Sequence, residues 1–111
     1  MAMVVNQYDI FWIDLNPTIG SEINKIRPCL VISPNEMNAH LSTIIIAPIT
    51  SRKKGKVYPM RVNFSLQRKN AWIVLDQIRT VDKLRLKSKI NSLNNTLIQD
   101  VKSILHEMLV E

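Results

Sequence analysis

The feature that most constrains the fold is the division of the chain into short apolar segments separated by turn residues. Stretches such as YDIFWIDL (residues 8–15) and STIIIAPIT (residues 42–50) are rich in strand-forming residues and are only eight or nine positions long. Strands in globular proteins have such lengths. Only the last part, NNTLIQDVKSILHEMLV (residues 94–110), repeats its apolar residues with a helical period. The pattern predicts antiparallel strands followed by one terminal helix.

The remaining segments extend this prediction. PCLVIS predicts a buried strand in which Pro28 stands first, because proline donates no ladder hydrogen bond. NEMNAHL predicts one or two helical turns, and Asn94, Asn95 or Thr96 can cap the final helix. Further strands are predicted for VYPMRVNF (57–64), AWIVLDQIRTVD (71–82, one long strand or a bent pair) and KLRLKSKI (83–90, an edge strand or a turn plus strand). The fold class is mainly β with a C-terminal helix (α+β), built as a small, strongly bent antiparallel sheet or barrel.

Length and composition fit one domain over residues 1–111. Hydrophobic residues make up 46% of the chain, which is enough for one packed core. The only cysteine, Cys29, lies in the apolar run CLVI and is expected to be a small buried side chain. No targeting segment or long apolar span is evident, so a soluble cytoplasmic protein is expected.

The net charge of +6 is unevenly distributed. Residues 51–69 carry seven basic side chains and no acidic one, whereas residues 1–50 carry more acids than bases. Local basic patches often face nucleic acid or another polyanion. A solvated loop kept soluble by lysines has the same composition, so charge alone leaves both interpretations open.

Several classes of site are not supported by the sequence. One cysteine and two distant histidines, His40 and His106, offer no metal-ligand spacing. Each histidine is better explained as a surface or half-buried side chain. Gly20 and Gly55 are the only glycines, so no glycine-rich phosphate loop exists.

Two predicted strand ends carry the candidate chemistry. Arg27 precedes Pro28, which holds its backbone in the extended region beside the glycine-opened loop GSEINK. Thr50 and Ser51 close the strand IIIAPIT and lead into the basic stretch. If the two strands are neighbours, a guanidinium, two hydroxyls and a cationic loop share one rim, a combination that suits a phosphodiester.

The motifs GSEINKIRPCLVIS, PITS and LDQIRTVDK, in this order, closely resemble the MazF/PemK family of toxins from bacterial toxin–antitoxin systems. The resemblance runs from DIFWIDLNPTIGSE to DQIRTVDKLRL, whereas the first dozen residues and the final helix match only in type. It implies an SH3-like bent barrel of the CcdB/MazF type, a homodimer, and sequence-specific cleavage of single-stranded RNA without a metal or other cofactor. It also implies inhibition by a cognate, MazE-like antitoxin with an acidic disordered tail.

The resemblance also assigns residues. Arg27 of the RP pair and Thr50 of the TS pair match the family's usual catalytic residues, and Glu22 matches an acid in the loop over the active site. Asp76 matches a position that some relatives use with an arginine two residues earlier; that position is Val74 here. The residues expected to bind RNA are Ser51, Arg52, Lys53, Lys54, Lys56, Asp76, Gln77 and Arg79.

The chemistry of metal-free RNA cleavage suggests a division of roles. The neighbouring 2′-hydroxyl is the usual nucleophile. Arg27 suits stabilisation of charge on the phosphorus, Thr50 suits positioning, and Glu22 is the better candidate base. A solvated loop acid is the alternative for Glu22. Two other functions stay open: a non-catalytic SH3-like toxin that inhibits DNA gyrase, and an RNA-binding module.

Overall fold

The computed structural model describes residues 3–17, 19–22, 25–51 and 59–110, which form seven strands and two α-helices. The strands are β1 (Asp9–Asp14), β2 (Ile26–Val31), β3 (Thr43–Thr50), β4 (Arg61–Leu66), β5 (Lys69–Val74), β6 (Arg79–Asp82) and β7 (Leu86–Ser92). The α-helices are α1 (Asn35–His40) and α2 (Asn95–Leu109), and single 3₁₀ turns cover Leu75–Gln77 and Lys83–Arg85.

The described strands form one antiparallel sheet in the order β4-β5-β3-β2-β1-β7, with β6 also paired to β3. The long strand β3 pairs with β6 through Thr43–Ile46 and with β5 through Ile49 and Thr50. Because β6 pairs with the first half of β3 and β5 pairs with its last two residues, the sheet divides at β3 into two parts. The predicted bent antiparallel sheet with a terminal helix is confirmed.

Both faces of the sheet are covered by apolar side chains. Strand β1 shows how this happens, because Ile10 belongs to one hydrophobic cluster and its neighbours Phe11 and Ile13 belong to the other. The first cluster packs beneath α2, with Val101 fully buried. Alternation of side chains along each strand therefore builds two apolar layers around one sheet.

The final helix begins where its sequence predicts. Asn94 is the N-cap, and its side-chain oxygen accepts a hydrogen bond from the Leu97 amide at 2.9 Å. The predicted helix over NEMNAH is also present as α1. Both predictions rested on local signals: a capping side chain for α2, and a short polar interval between strands for α1.

One strand prediction needed correction. The prediction that Pro28 begins its strand is wrong, because β2 starts at Ile26. Pro28 is tolerated inside β2 because the Leu15 amide bonds to the Lys25 carbonyl, and hydrogen-bonded pairs alternate along an antiparallel ladder. Pro28 therefore falls opposite Trp12 at a position without ladder bonds, and the ladder with β3 begins at the next residue.

The segment AWIVLDQIRTVD is the bent pair rather than the single long strand. Strand β5 ends at Val74, a 3₁₀ turn follows, and β6 starts at Arg79. KLRLKSKI is likewise a 3₁₀ turn followed by β7. Residues 57 and 58 of the predicted strand VYPMRVNF lie outside the described residues, and its described part forms β4 from Arg61.

Candidate functional site: two clefts beside strand β3

The first cleft contains Arg27, Thr50 and Ser51, and its volume is about 200 Å³. Arg27 is the second residue of β2 and Thr50 is the last residue of β3. These strands are direct neighbours in the sheet. The structure thus brings together the guanidinium and the two hydroxyls that the sequence placed at separate strand ends.

The Thr50 hydroxyl is the most unusual group in this cleft. Thr50 is 7% exposed, and its Oγ1 has no hydrogen-bond partner among the residues that the structure describes. A buried hydroxyl without a partner costs about 1–3 kcal/mol. Such a group is suited to bond with a molecule that enters the cleft.

Cys29 belongs to β2, between β1 and β3, and directly follows Arg27 and Pro28 of the first cleft. It is fully buried, and this burial raises the pKa of its thiol to about 12. The positive charges of Arg79 and Arg27 oppose this rise in pKa, although they do not overcome it. The thiol is therefore held in its neutral form, and two guanidinium groups lie near one point of the sheet.

A second cleft, of about 320 Å³, contains Glu22 together with Asp76, Gln77 and Arg79. Pro48 of β3 lines this cleft, whereas Ile49 and Thr50 line the first. The two clefts therefore flank consecutive residues of one strand.

Glu22 lies in this second cleft and not among the residues that line the first. Its Oε1 accepts a hydrogen bond from the Ile19 amide at 2.6 Å, and the Glu22 amide donates to the Ile19 carbonyl at 3.2 Å. Both bonds close a small turn in the loop between β1 and β2. In this conformation the predicted base is separated from the predicted phosphate-binding residues.

Asp76 is held by an arginine from another strand. Arg61 of β4 donates from Nε to Oδ1 at 2.8 Å and from Nη2 to Oδ2 at 3.0 Å. The hydrogen bond from this guanidinium is the main reason that the pKa of Asp76 lies below its ordinary value. Arg61 pairs across the sheet with Val74, the position where the sequence lacks an arginine. Sequence spacing alone had no signal for this pairing.

Arg79 has a structural contact besides its position in the second cleft. Its Nη1 donates to the Leu15 carbonyl at 3.2 Å, and the Arg85 Nη1 donates to the carbonyls of Asp14 and Asn16. The two arginines thus hold the first residues of the β1–β2 loop against the sheet. Because Glu22 belongs to that loop, the two arginines fix the start of the segment that carries Glu22.

Four residues that were expected to bind RNA lie outside the described part of the chain: Arg52, Lys53, Lys54 and Lys56.

The first cleft also contains residues that the sequence motifs do not single out. Trp12 lies half-buried on β1, while Gln67, Lys69 and Asn70 come from the β4–β5 hairpin. Trp12 could have been selected from the sequence, because alternation along the predicted strand places this aromatic side chain on the face opposite Phe11 and Ile13. The hairpin residues could not have been, since their approach to Thr50 depends on β5 pairing with β3.

Two features are absent from the part of the chain that the structure describes. No group of three or more histidine, cysteine, aspartate or glutamate side chains is placed to hold a metal ion. No described helix has the length and apolar character needed to cross a membrane.

Comparison with known proteins gives consistent similarities. Residues 6–109 match the model of a family described as PemK-like, MazF-like toxin of type II toxin–antitoxin system. The Bacillus subtilis (strain 168) protein named Endoribonuclease EndoA is 36% identical over 107 residues, covering 93% of this chain and 92% of the relative.

Solved structures agree with the fold. MazF from Deinococcus radiodurans has a TM-score of 0.85 at 25% identity, covering 99% of this chain and 100% of that chain. A mycobacterial endoribonuclease in complex with its cognate antitoxin has a TM-score of 0.78 at 17% identity, covering 96% and 95%.

Proposed function

Since this chain belongs to the family of PemK-like, MazF-like toxins of type II toxin–antitoxin systems, we propose that it is a sequence-specific endoribonuclease that cuts single-stranded RNA without a metal ion. The relative from Bacillus subtilis, named an endoribonuclease, supports the activity at 36% identity over nearly the whole chain. The observation that carries the proposal here is the buried Thr50 hydroxyl, which has no partner among the described residues and lies in a cleft with Arg27. A phosphodiester carries acceptor oxygens for the Thr50 hydroxyl and a negative charge that the Arg27 guanidinium attracts.

The proposed reaction is a transesterification within the RNA. The 2′-oxygen gives its proton to a base and attacks the adjacent phosphorus. The bond from phosphorus to the 5′-oxygen breaks, and the departing 5′-oxygen takes a proton from water. The products are a 2′,3′-cyclic phosphate and a 5′-hydroxyl end. Arg27 stabilises the negative charge that develops on the phosphoryl oxygens, because fixed donors act most strongly where charge appears. Thr50 donates a hydrogen bond that positions the phosphate.

Glu22 is the proposed base, and it requires a movement of its loop. Its carboxylate is bonded to the Ile19 amide in the second cleft. We infer that substrate binding draws this loop towards Arg27, a closure of the kind that completes many active sites. Glu22→Gln nearly keeps the shape of the side chain but cannot accept a proton, so the increase of the cleavage rate with pH on the acidic side of the profile should be lost. If its pH–rate profile matches that of the unchanged protein, Glu22 is not the base.

The RNA strand is proposed to extend from the first cleft into the second. Ser51 lies at the cleft with Arg27, while Asp76, Gln77 and Arg79 line the neighbouring one. The basic stretch Arg52, Lys53, Lys54 and Lys56 is proposed to contact the backbone of the flanking nucleotides. Binding should therefore weaken steeply with salt. An affinity that does not change with salt would contradict this path.

The deciding experiment incubates the purified protein with a long RNA of known sequence in EDTA and maps the cut sites and end groups. Arg27→Ala tests the cleft, and Lys102→Ala on the exposed face of α2 is the matched charge control. We expect cuts at one short motif that disappear in Arg27→Ala and persist in Lys102→Ala. Products with 5′-phosphate ends would contradict the mechanism. An intact RNA with folded protein would favour the gyrase inhibitor or the plain binding module.

We also propose an antitoxin with an acidic disordered tail as the regulatory partner. The mycobacterial structure, similar in fold, contains a cognate antitoxin, and the net charge of +6 suits an acidic segment that orders on binding. The test is a protein that co-purifies with this chain from its native cells and suppresses RNA cleavage when added back. Cleavage that is unchanged by the co-purified protein would contradict the proposal.

A homodimer is the proposed assembly, and one face of the described structure supports it. Leu41 and Leu84 are 51% and 89% exposed. The Lys83 amide bonds to the Ser42 carbonyl at 2.9 Å, which places the two leucines beside the same contact. Contiguous exposed apolar surface marks protein–protein interaction sites once it exceeds roughly a few hundred Å².

A further inference from the structure

The wall of the first cleft is formed by the tight turn between β4 and β5. Leu66 pairs with Lys69 across the hairpin, so only Gln67 and Arg68 connect the two strands. Both connecting residues have positive φ angles, 50° and 67°. Two-residue turns of this kind strongly prefer asparagine and glycine. The turn therefore carries two long polar side chains at positions where shorter residues would fit the backbone better.

One of these two side chains lies at the cleft. Gln67 lines it together with Thr50 and Arg27, whereas Arg68 is absent from the residues that line it. Gln67 is also exposed, so its amide is accessible to a ligand. The side-chain oxygen of Asn70, the other amide of this wall, already accepts a hydrogen bond from Asn63 at 2.8 Å. Gln67 is thus the wall residue best placed to read a bound molecule.

Trp12 completes the surroundings that a nucleobase requires. Its ring is half-buried at the same cleft, on a strand whose adjacent side chains are fully buried. Bases of single-stranded RNA stack on aromatic rings of this kind while their edges form hydrogen bonds. The cleft holds about 200 Å³, below the roughly 300 Å³ at which sites for larger ligands begin. This volume suits one base beside the phosphate.

We propose that Gln67 determines part of the cleavage motif by reading one base next to the scissile phosphate, with adenine preferred. A glutamine amide presents a donor beside an acceptor, which matches the amino group and ring nitrogen of adenine. The inference rests on the proposed endoribonuclease function, because it names the specificity of that same cleft.

The test sequences the cut sites that the protein makes in a pool of RNA with randomised positions. The base frequency at each position is normalised to the total number of cuts, so that a change in motif is separated from a change in rate. The unchanged protein should prefer adenine at one position adjacent to the cut. In Gln67→Ala this preference should fall by about tenfold, since one bidentate contact provides discrimination of that order.

A second variant keeps the test independent of overall activity. Gln67→Glu has nearly the same shape but only acceptor atoms, so it should shift the preference at that position towards cytosine, whose amino group is a donor. Arg68→Gln is the control from the same turn and should leave the motif unchanged. A thermal melt of each variant checks that the hairpin still folds.

The outcomes separate the two proposals. An unchanged motif in both Gln67 variants, or a wild-type motif without adenine beside the cut, would overturn the role of Gln67 and leave the endoribonuclease intact. Wild-type protein that cuts no RNA would overturn both. A motif change in Arg68→Gln equal to that in Gln67→Ala would also overturn the assignment, because it would point to the turn as a whole.

Discussion

Arg61 and Asp76, which are fifteen residues apart in the chain, form a two-pronged ion pair between β4 and the 3₁₀ turn after β5, with Nε 2.8 Å from Oδ1 and Nη2 3.0 Å from Oδ2. Bidentate pairs fix geometry as well as adding energy. Asp76 lines the second cleft. The ion pair therefore sets the orientation of one wall of the proposed RNA path.

The first prediction concerns the pH dependence of this pair. Because the pKa of Asp76 is lowered in the folded protein, the pair stabilises the fold above the unfolded value of about 3.8 and loses that effect as pH falls through the folded value. Asp76→Asn should lower the free energy of unfolding at pH 7 by less than about 1 kcal/mol, since the carboxylate is partly exposed. Urea unfolding at pH 7 and pH 2.5 measures the difference.

The matched control for that experiment is Glu107→Gln, an exposed carboxylate on α2. It should show little difference from the unchanged protein at either pH. A loss of stability in Asp76→Asn that is equally large at pH 2.5 would show that the variant acts through packing and not through the ion pair.

The second prediction separates stability from activity at Thr50. Thr50→Val removes a buried hydroxyl that has no partner in the described part of the chain and nearly keeps the shape of the side chain. The protein should therefore become more stable by about 1–3 kcal/mol. Cleavage of RNA should fall sharply, because the phosphate loses its positioning contact. Thr50→Ser keeps the hydroxyl and should retain most activity. Thermal melts and RNA cleavage rates measure both effects.

A result in which Thr50→Val is less stable than the unchanged protein would show that the hydroxyl has a partner in solution. A variant with full cleavage activity would remove Thr50 from the proposed mechanism.

The third prediction concerns the thiol of Cys29. Full burial and a pKa raised to about 12 keep it unreactive in the folded protein. At pH 8 a maleimide or disulfide reagent should modify it only as fast as the protein unfolds, and urea should accelerate the reaction. Rapid modification of the folded protein would mean that β2 separates from its neighbours much more easily than its burial implies.

The sequence predicted those parts of the fold that depend on neighbouring residues. The N-cap and the apolar stripe of α2 are local signals: the sequence offered Asn94, Asn95 or Thr96 as the cap, and the structure has Asn94. The position of Pro28 inside β2 was missed, because it depends on which residues of β1 lie opposite. Register is a property of two strands together and has no signature in one segment.

The same distinction applies to the candidate site. Arg27 and Thr50 could be selected because each stands at a strand end beside a recognisable turn, and the structure places them in one cleft. Arg61 and Gln67 could not be selected. Arg61 meets Asp76 only because β4 pairs with β5, and Gln67 reaches the first cleft only because β5 pairs with β3. The separation of Glu22 from Arg27 depends on the conformation of a loop, which strand patterns do not specify.

The last prediction tests the homodimer through the exposed face at Leu84. The protein should elute with a mass of twice 12.8 kDa in size-exclusion chromatography with light scattering. Leu84→Lys places a charge on a side chain that is 89% exposed in the single chain, so it should leave the fold intact and shift the mass towards 12.8 kDa. Leu109→Lys, at a leucine that is 65% exposed on α2, is the control. Dissociation in Leu109→Lys alone would place the interface on α2. A mass of one chain for the unchanged protein would contradict the homodimer itself.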